Sequence, residues 1–179
     1  MLLGVAPTHN LEHVLDGSVD IEDAWVECAE GVKLLSSGSG LEALANINGP
    51  DSREVLNAII GSANDGDIIV IDTAPGIDDT IVSLLTLADE VIMVTTPEPT
   101  SITDTYAAIK VLMSTVPESQ ITLVANCCAN PAQAGAVADG LDGICRRFLA
   151  RSFARYEYVP YDSSVGRAIQ RQRPLAVTA

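Results

Sequence analysis

The 179 residues are 47% hydrophobic but only 4% aromatic, the balance of an α/β domain cored by Ile, Val, Leu and Ala. The formal net charge is −14 and uneven: residues 1–145 hold 3 Lys/Arg against 22 Asp/Glu, whereas residues 146–179 hold 7 against 2. Most of the surface should therefore repel nucleic acid and anionic lipid, and neither a membrane-length apolar run nor a basic-flanked leader is present. A cytoplasmic location is the resulting expectation.

In chain order, Val32–Ser36 reads as a short strand, and a helix follows over 52–63 with Asp51 as its N-cap and Glu54 in its first turn. Asp67-Ile-Ile-Val-Ile-Asp72 is too short for a helix and rich in β-branched residues, so it reads as a strand. A helix capped by Asp78 or Asp79 should run through Leu87. Glu90-Val-Ile-Met-Val-Thr95 is the next strand. Thr100 or Ser101 should cap a helix running through Ser114 and stopped by Pro117. Gln120-Ile-Thr-Leu-Val-Ala-Asn126 follows as a strand, then a long helical pattern over 131–152, then Tyr156-Glu-Tyr-Val159 as a weaker strand. Asp162 should cap a last helix through Gln172, stopped by Pro174. The apolar runs predict strands buried on both faces, and their alternation with helices predicts right-handed βαβ units and a mostly parallel, helix-flanked sheet within one domain over 1–179.

Open parallel sheets bind ligands at the carboxyl ends of their strands. The strand over 67–72 ends in Asp72, followed by Thr73-Ala74-Pro75-Gly76. An Asp there can order a water on Mg²⁺, and a Gly four residues later lets a backbone N–H approach a phosphate; the same Asp can equally cap the following turn. The next strand runs into Thr95-Thr96-Pro97-Glu98-Pro99-Thr100-Ser101-Ile102-Thr103-Asp104-Thr105-Tyr106-Ala107-Ala108-Ile109-Lys110. This stretch, with D-T-A-P-G at 72–76, resembles the MinD/ParA-type P-loop ATPases, and within them the MinD-like flagellar-number regulators. Leu3 to Leu15, Ser37 to Ala45 and Pro160 to Ile169 resemble the same family, in the same order, so the resemblance covers essentially the whole chain.

The resemblance implies a partial P-loop NTPase (Rossmann-like) domain and assigns roles by position. Asp72 corresponds to the Walker B carboxylate that acts on Mg²⁺ through water, and Gly76 to the switch II glycine that senses the γ-phosphate. Asn126 corresponds to the asparagine that reads the adenine edge, and Pro160-Tyr161-Asp162 to the segment that closes over the base. Read without the family, Asn126 satisfies local backbone groups and Pro160 ends a strand. ATP and Mg²⁺ are the implied ligands. The implied partners are a second copy in an ATP-dependent dimer and a flagellar transcription regulator or related ATPase, with peripheral membrane association in the intact family. Nucleic acid is not an expected partner.

No G-x-x-x-x-G-K-[ST] occurs in the 179 residues, whose two lysines are Lys33 and Lys110. Lys33 is followed by Leu34-Leu35, and Lys110 falls inside a predicted helix, so neither fits a P-loop. Ser37-Gly38-Ser39-Gly40 reads as an ordinary loop. Phosphoryl transfer is mostly positioning and charge stabilisation, so no ATPase activity is expected from this chain by itself. The family's first two strands, which flank the strand over 67–72, would also be missing. That leads to three expectations: a truncated product, a domain fragment, or a rearranged sheet with 67–72 paired directly to 90–95. The rival readings are a non-enzymatic partner-binding module and a chromosome- or plasmid-partitioning relative.

Two residue sets remain. Cys28, Cys127, Cys128 and Cys145 form no C-x-x-C pair and lie far in sequence from His9 and His13, which argues against zinc and leaves buried thiols. Arg147, Arg151 and Arg155 recur every four residues, as do Arg167 and Arg171. They form either a contact face for an acidic partner or DNA, or ion pairs with this acidic chain's own carboxylates.

Overall fold

The structure, a computed structural model, describes residues 4–29, 31–38, 57–73, 75–77, 79–153, 155–173 and 175. They fall into two compact units, Met1–Thr73 with Ser164–Ala179, and Ala74–Ser163.

In the first unit, helix α1 (Leu11–Leu15) begins at Asn10, whose side-chain oxygen accepts the N–H groups of Glu12 and His13 at 3.0 and 3.3 Å. Leu11 is buried, and its N–H bonds to the Ser36 carbonyl at 2.8 Å. Helix α2 (Ile21–Ala24) leads straight into strand β1 (Trp25–Ala29), which pairs antiparallel with β2 (Val32–Leu35). The strand expected at 32–36 is therefore half of a hairpin, not a member of a parallel sheet. Two residues separate β1 from β2, and so short a connection permits only antiparallel pairing. Gly31 lies at φ 72, a conformation that costs glycine least. Trp25 reaches across to Ser62, with its indole N–H 3.1 Å from Oγ. Residues 57–61 are helical; the rest of the N-terminal half of that predicted helix, with Asp51 and Glu54, lies outside the described residues, as does the family-like stretch 39–45.

The strand expected over 67–72 is not formed. Residues 67–73 belong to no ladder, Ile68 is 88% exposed and Val70 83%. The rearranged sheet, one of the three alternatives, is not formed either: among the described residues the strand at 90–95 is an edge strand that pairs only with the strand at 120–128. β-propensity describes a side chain's fit to a pleated, half-buried surface, and without a paired neighbour four apolar residues in a row do not make a strand. The stretch is tethered at its start, where the Asn64 backbone and side-chain N–H groups donate to Asp67 at 2.8 and 3.0 Å. The backbone bond, reinforced by the side-chain one, lowers the Asp67 carboxyl below the usual carboxylate range.

The second unit contains helix α3 (Asp79–Leu85), β3 (Glu90–Thr95), α4 (Pro99–Thr115), β4 (Gln120–Cys128), α5 (Pro131–Leu149) and β5 (Arg155–Pro160). Its sheet is parallel with order β3-β4-β5. Parallel strands joined by right-handed crossovers that advance in one direction place their helices on one face. That face is the core. α4 buries Thr105, Ile109 and Leu112, and α5 buries Ala134, Val137, Ala138, Leu141 and Cys145, both at helical spacing. They meet Val91, Ile121 and Leu123 from the strands.

The other face contradicts the expected two-sided burial. Ile92 and Val94 alternate with the core residues of β3 and are 59% and 57% exposed. Helix α4 starts at Pro99, one to two residues before the predicted caps, because Pro at the first helical position has no N–H to satisfy. α5 starts after Asn130, whose side chain accepts the Gln133 N–H at 2.9 Å, and ends at Ala150 in a left-handed conformation, φ 54. The last helix, α6 (Ser163–Gln170), stops two residues before the expected end, and Gln172 lies at φ 53; Pro174 lies outside the described residues. Among the described residues no helix is long and apolar enough to cross a membrane.

Candidate functional site

The carboxyl ends of β3, β4 and β5 lie side by side, as parallel pairing requires. At the end of β3, Thr95 is 1% exposed and its Oγ1 lies 3.2 Å from the Ser101 Oγ, which also accepts the Thr96 N–H at 2.9 Å. Ser101, expected as a cap, instead clasps the strand end to the first turn of α4. The T-T-P-E-P-T-S stretch thus encodes a loop that folds back on itself with its buried hydroxyl satisfied.

At the end of β4 the ladder breaks. Asn126 pairs with Val159 and Cys128 with Pro160, leaving Cys127 as an unpaired bulge residue at φ 57. Bulges re-aim side chains and often lie next to functional sites. The Cys127 N–H, freed from the ladder, donates to the Asn126 Oδ1 at 2.9 Å. The local role foreseen for Asn126 is therefore realised, yet its carboxamide is not exhausted: the oxygen has a second lone pair and the nitrogen two donors. Among the described residues no other group hydrogen-bonds to this side chain. Pro160 has no N–H, so the β4–β5 ladder ends there, and the Tyr161 N–H donates to the Cys128 carbonyl at 2.9 Å. Asn126, Pro160 and the Tyr161-Asp162 turn are thus held at one strand end. Tyr161 is 71% exposed, and Asp162 directly precedes α6.

Asp72 and Gly76 are placed differently. Asp72 is exposed in the unpaired stretch of the first unit, and Gly76 belongs to the second. Gly76 has φ 139, a region reserved for glycine, whereas a Cβ there would find only the Ile81 Cδ1 at 3.7 Å. Its identity is set by backbone conformation, not by lack of space. Among the described residues no group of three or more His, Cys, Asp or Glu could hold a metal ion.

The thiols divide, which corrects the expectation that all four are buried. Cys128 and Cys145 are fully buried, Cys28 is half-buried and Cys127 is exposed because the bulge turns it out of the ladder. Burial, with a smaller contribution from Asp142, pushes the Cys145 thiol up to about 11. A group whose folded-state value is raised stabilises the fold below its unfolded value and loses that contribution as pH rises toward the folded one. The melting temperature should therefore fall between about pH 9 and 11, and Cys145→Ala should flatten that decline. An unchanged slope in the variant would remove Cys145 as the source.

Three of the arginines have defined neighbours. Arg146, which lies outside the expected stripes, pairs with Asp142 at 2.7 Å. Arg151 donates to the Pro117 carbonyl, and the Arg147 guanidinium lies 5.1 Å from the centre of the Phe148 ring.

No family model matches this sequence. Individual relatives do. The chain is 32% identical over 173 residues to antiactivator FleN of Pseudomonas aeruginosa, covering 97% of the chain and 62% of that protein. It is 30% identical over 175 residues to the flagellum site-determining protein YlxH of Helicobacter pylori, covering 98% of the chain and 59% of that protein. An uncharacterized ATP-binding protein of Methanocaldococcus jannaschii, MJ0547, is 35% identical over 101 residues, 56% of the chain and 37% of the relative. The chain thus spans about three fifths of the length of the first two of these relatives.

Proposed function

Because the chain belongs to the MinD/ParA family of P-loop ATPases, we propose that it is part of a nucleotide-linked regulator of flagellar number and placement, working in the cytoplasm. The observation that carries this reading is similarity along 98% of the chain to a flagellum site-determining protein, joined by similarity along 97% of it to an antiactivator. The resemblance at T-T-P-E-P-T-S-I-T-D points the same way and disfavours a partitioning role. On this reading the 179 residues are one piece of a single NTPase domain.

The strand-end cluster is the adenine end of the site. Asn126 would present its remaining lone pair to the exocyclic amine and an N–H to a ring nitrogen, while Pro160, Tyr161 and Asp162 line the base. The ladder bulge supports this assignment, since it fixes the Asn126 carboxamide through the Cys127 N–H. Gly76 would bring a backbone N–H to the terminal phosphate, and Asp72 would hold a Mg²⁺-bound water. Bound nucleotide supplies the switch chemistry; these residues bind and orient it. The natural partners are a second copy, a flagellar transcription regulator or a related ATPase, with peripheral attachment to the membrane.

The 179 residues hold no P-loop lysine motif, and without backbone N–H groups cradling the phosphates the catalytic step lacks its positioning. Incubated alone with Mg-ATP, the chain should release no phosphate above the blank. It should bind a fluorescent ATP analogue only weakly, in the range of about 1 mM, where a few contacts to the base suffice. Asn126→Ala should abolish that residual binding. Micromolar affinity or measurable turnover by this chain alone would end the reading.

A further inference from the structure

We propose that Cys127 is a positioning residue for the base: its left-handed backbone locks the Asn126 carboxamide in one orientation, and that lock selects adenine over guanine. The inference rests on reading this strand end as the base subsite, and adds what decides between the two purines there.

The ladder steps from Asn126 opposite Val159 to Cys128 opposite Pro160, so Cys127 faces no residue of β5. Its φ of 57 is a conformation that residues other than glycine, asparagine and aspartate rarely adopt. Such backbone persists only where its surroundings over-determine it, and it gathers at ligand sites. Here the chain is held on both sides of the bulge. Before it, Asn126 is still in the ladder. After it, the Cys128 carbonyl accepts the Tyr161 N–H at 2.9 Å, and the Ala129 N–H donates to the Gln133 Oε1 at 2.7 Å. Cys127 is exposed, and its part in the cluster is its backbone N–H, which donates to the Asn126 Oδ1 at 2.9 Å.

That bond makes the carboxamide directional. One arm of the group accepts and the other only donates, so only the oxygen can face an N–H. A half-turn would set Nδ2 against the Cys127 N–H and lose the bond. Adenine carries the N6 amine, a donor, where guanine carries O6, an acceptor. With the Asn126 oxygen held toward that position, adenine bonds to its remaining lone pair and guanine meets it oxygen to oxygen. A carboxamide free to turn would offer Nδ2 instead and take guanine as well. Sites that hydrogen-bond a ligand group reject the analogue lacking it, because their own polar atoms are then left unpaired.

The test titrates the full chain with ATP and, separately, with GTP, following the Asn126 side-chain amide by NMR. The parent should bind ATP at least about tenfold more tightly than GTP. Cys127→Gly keeps both the left-handed backbone and its N–H, and should keep that preference although the thiol is gone. Cys127→Val is β-branched and resists positive φ. Its bond to Oδ1 should open and its preference fall below about twofold, with the β3–β4 ladder signals in place. Equal affinity of the parent for ATP and GTP, loss of the preference in Cys127→Gly, or its survival in a folded Cys127→Val would each overturn the proposal. The first two decide even if Cys127→Val does not fold. Asn126→Ala separates the lock from the subsite. If it abolishes ATP binding while Cys127→Val keeps the parent's preference, the base subsite stands and the lock is wrong. If the parent binds no ATP, or Asn126→Ala binds it unchanged, the subsite reading falls and the lock falls with it.

Discussion

Leu123→Ala should lower the stability of the sheet unit by about 2–5 kcal/mol, seen as an earlier urea midpoint at unchanged slope. Leu123 sits at the middle of β4 with no exposed surface, between Val91, Ile109, Leu112, Ile121 and Leu141. Truncation removes its transfer free energy and leaves a cavity that two helices cannot collapse into. Against a typical total of about 5–15 kcal/mol, that loss is enough to unfold part of the population at growth temperature. Ile92→Ala is the matched control. It lies in the adjacent strand of the same sheet on the open face, 59% exposed, and should cost less than about 1 kcal/mol. Equal losses for the two variants would mean that the open face is covered in solution.

The second large effect is expected at Asp142. Its carboxylate accepts the Arg146 Nε–H at 2.7 Å, the Ser152 hydroxyl at 2.7 Å and the Phe153 N–H at 3.0 Å. These bonds fold the chain back after α5, where Ala150 adopts its left-handed cap, and deliver it to β5. Asp142→Ala leaves the part-buried Phe153 N–H without its acceptor, while the exposed Ser152 hydroxyl turns to water, so about 1–2 kcal/mol should be lost. Arg146→Ala removes only the arm that is 68% exposed and should cost less than about 1 kcal/mol. Thermal melts of the two variants decide the matter. If they lose the same amount, the carboxylate serves the ion pair alone and the turn holds itself.

The parallel sheet was legible because its strands announce themselves. The runs at 90–95 and 120–126 are short, β-branched and bounded by polar residues, and both form where expected, β4 continuing to Cys128. Their partner at 156–159 was also readable. The stretch 67–72 carries the same signal and forms no strand, because a ladder needs a neighbour and a sequence window cannot display one. The hairpin of β1 and β2 went unread, although Trp25-Val26 and the Gly31 turn offered a signal. The open face of β3 could not be inferred from Ile92 and Val94, since an apolar run does not say which of its faces a helix will cover.

Of the candidate site, Asn126 and Pro160 were found together at one strand end. The bulge between them was not foreseeable, because nothing in Asn126-Cys127-Cys128 requires a left-handed residue. The Thr95 to Ser101 clasp was missed for a simpler reason: a serine near a helix start reads as a cap, and here its hydroxyl points back to the strand.

The order of the strands also bears on how the protein is made. In the sequence β3-β4-β5, space and chain run together, so every ladder closes over one intervening helix and no strand waits for a distant segment. Loop-closure entropy stays small and contacts stay local, the conditions for rapid folding. Each strand can therefore join the sheet in chain order, with Leu123 meeting Ile109 and Leu112 of α4 first and enclosed once Leu141 of α5 arrives.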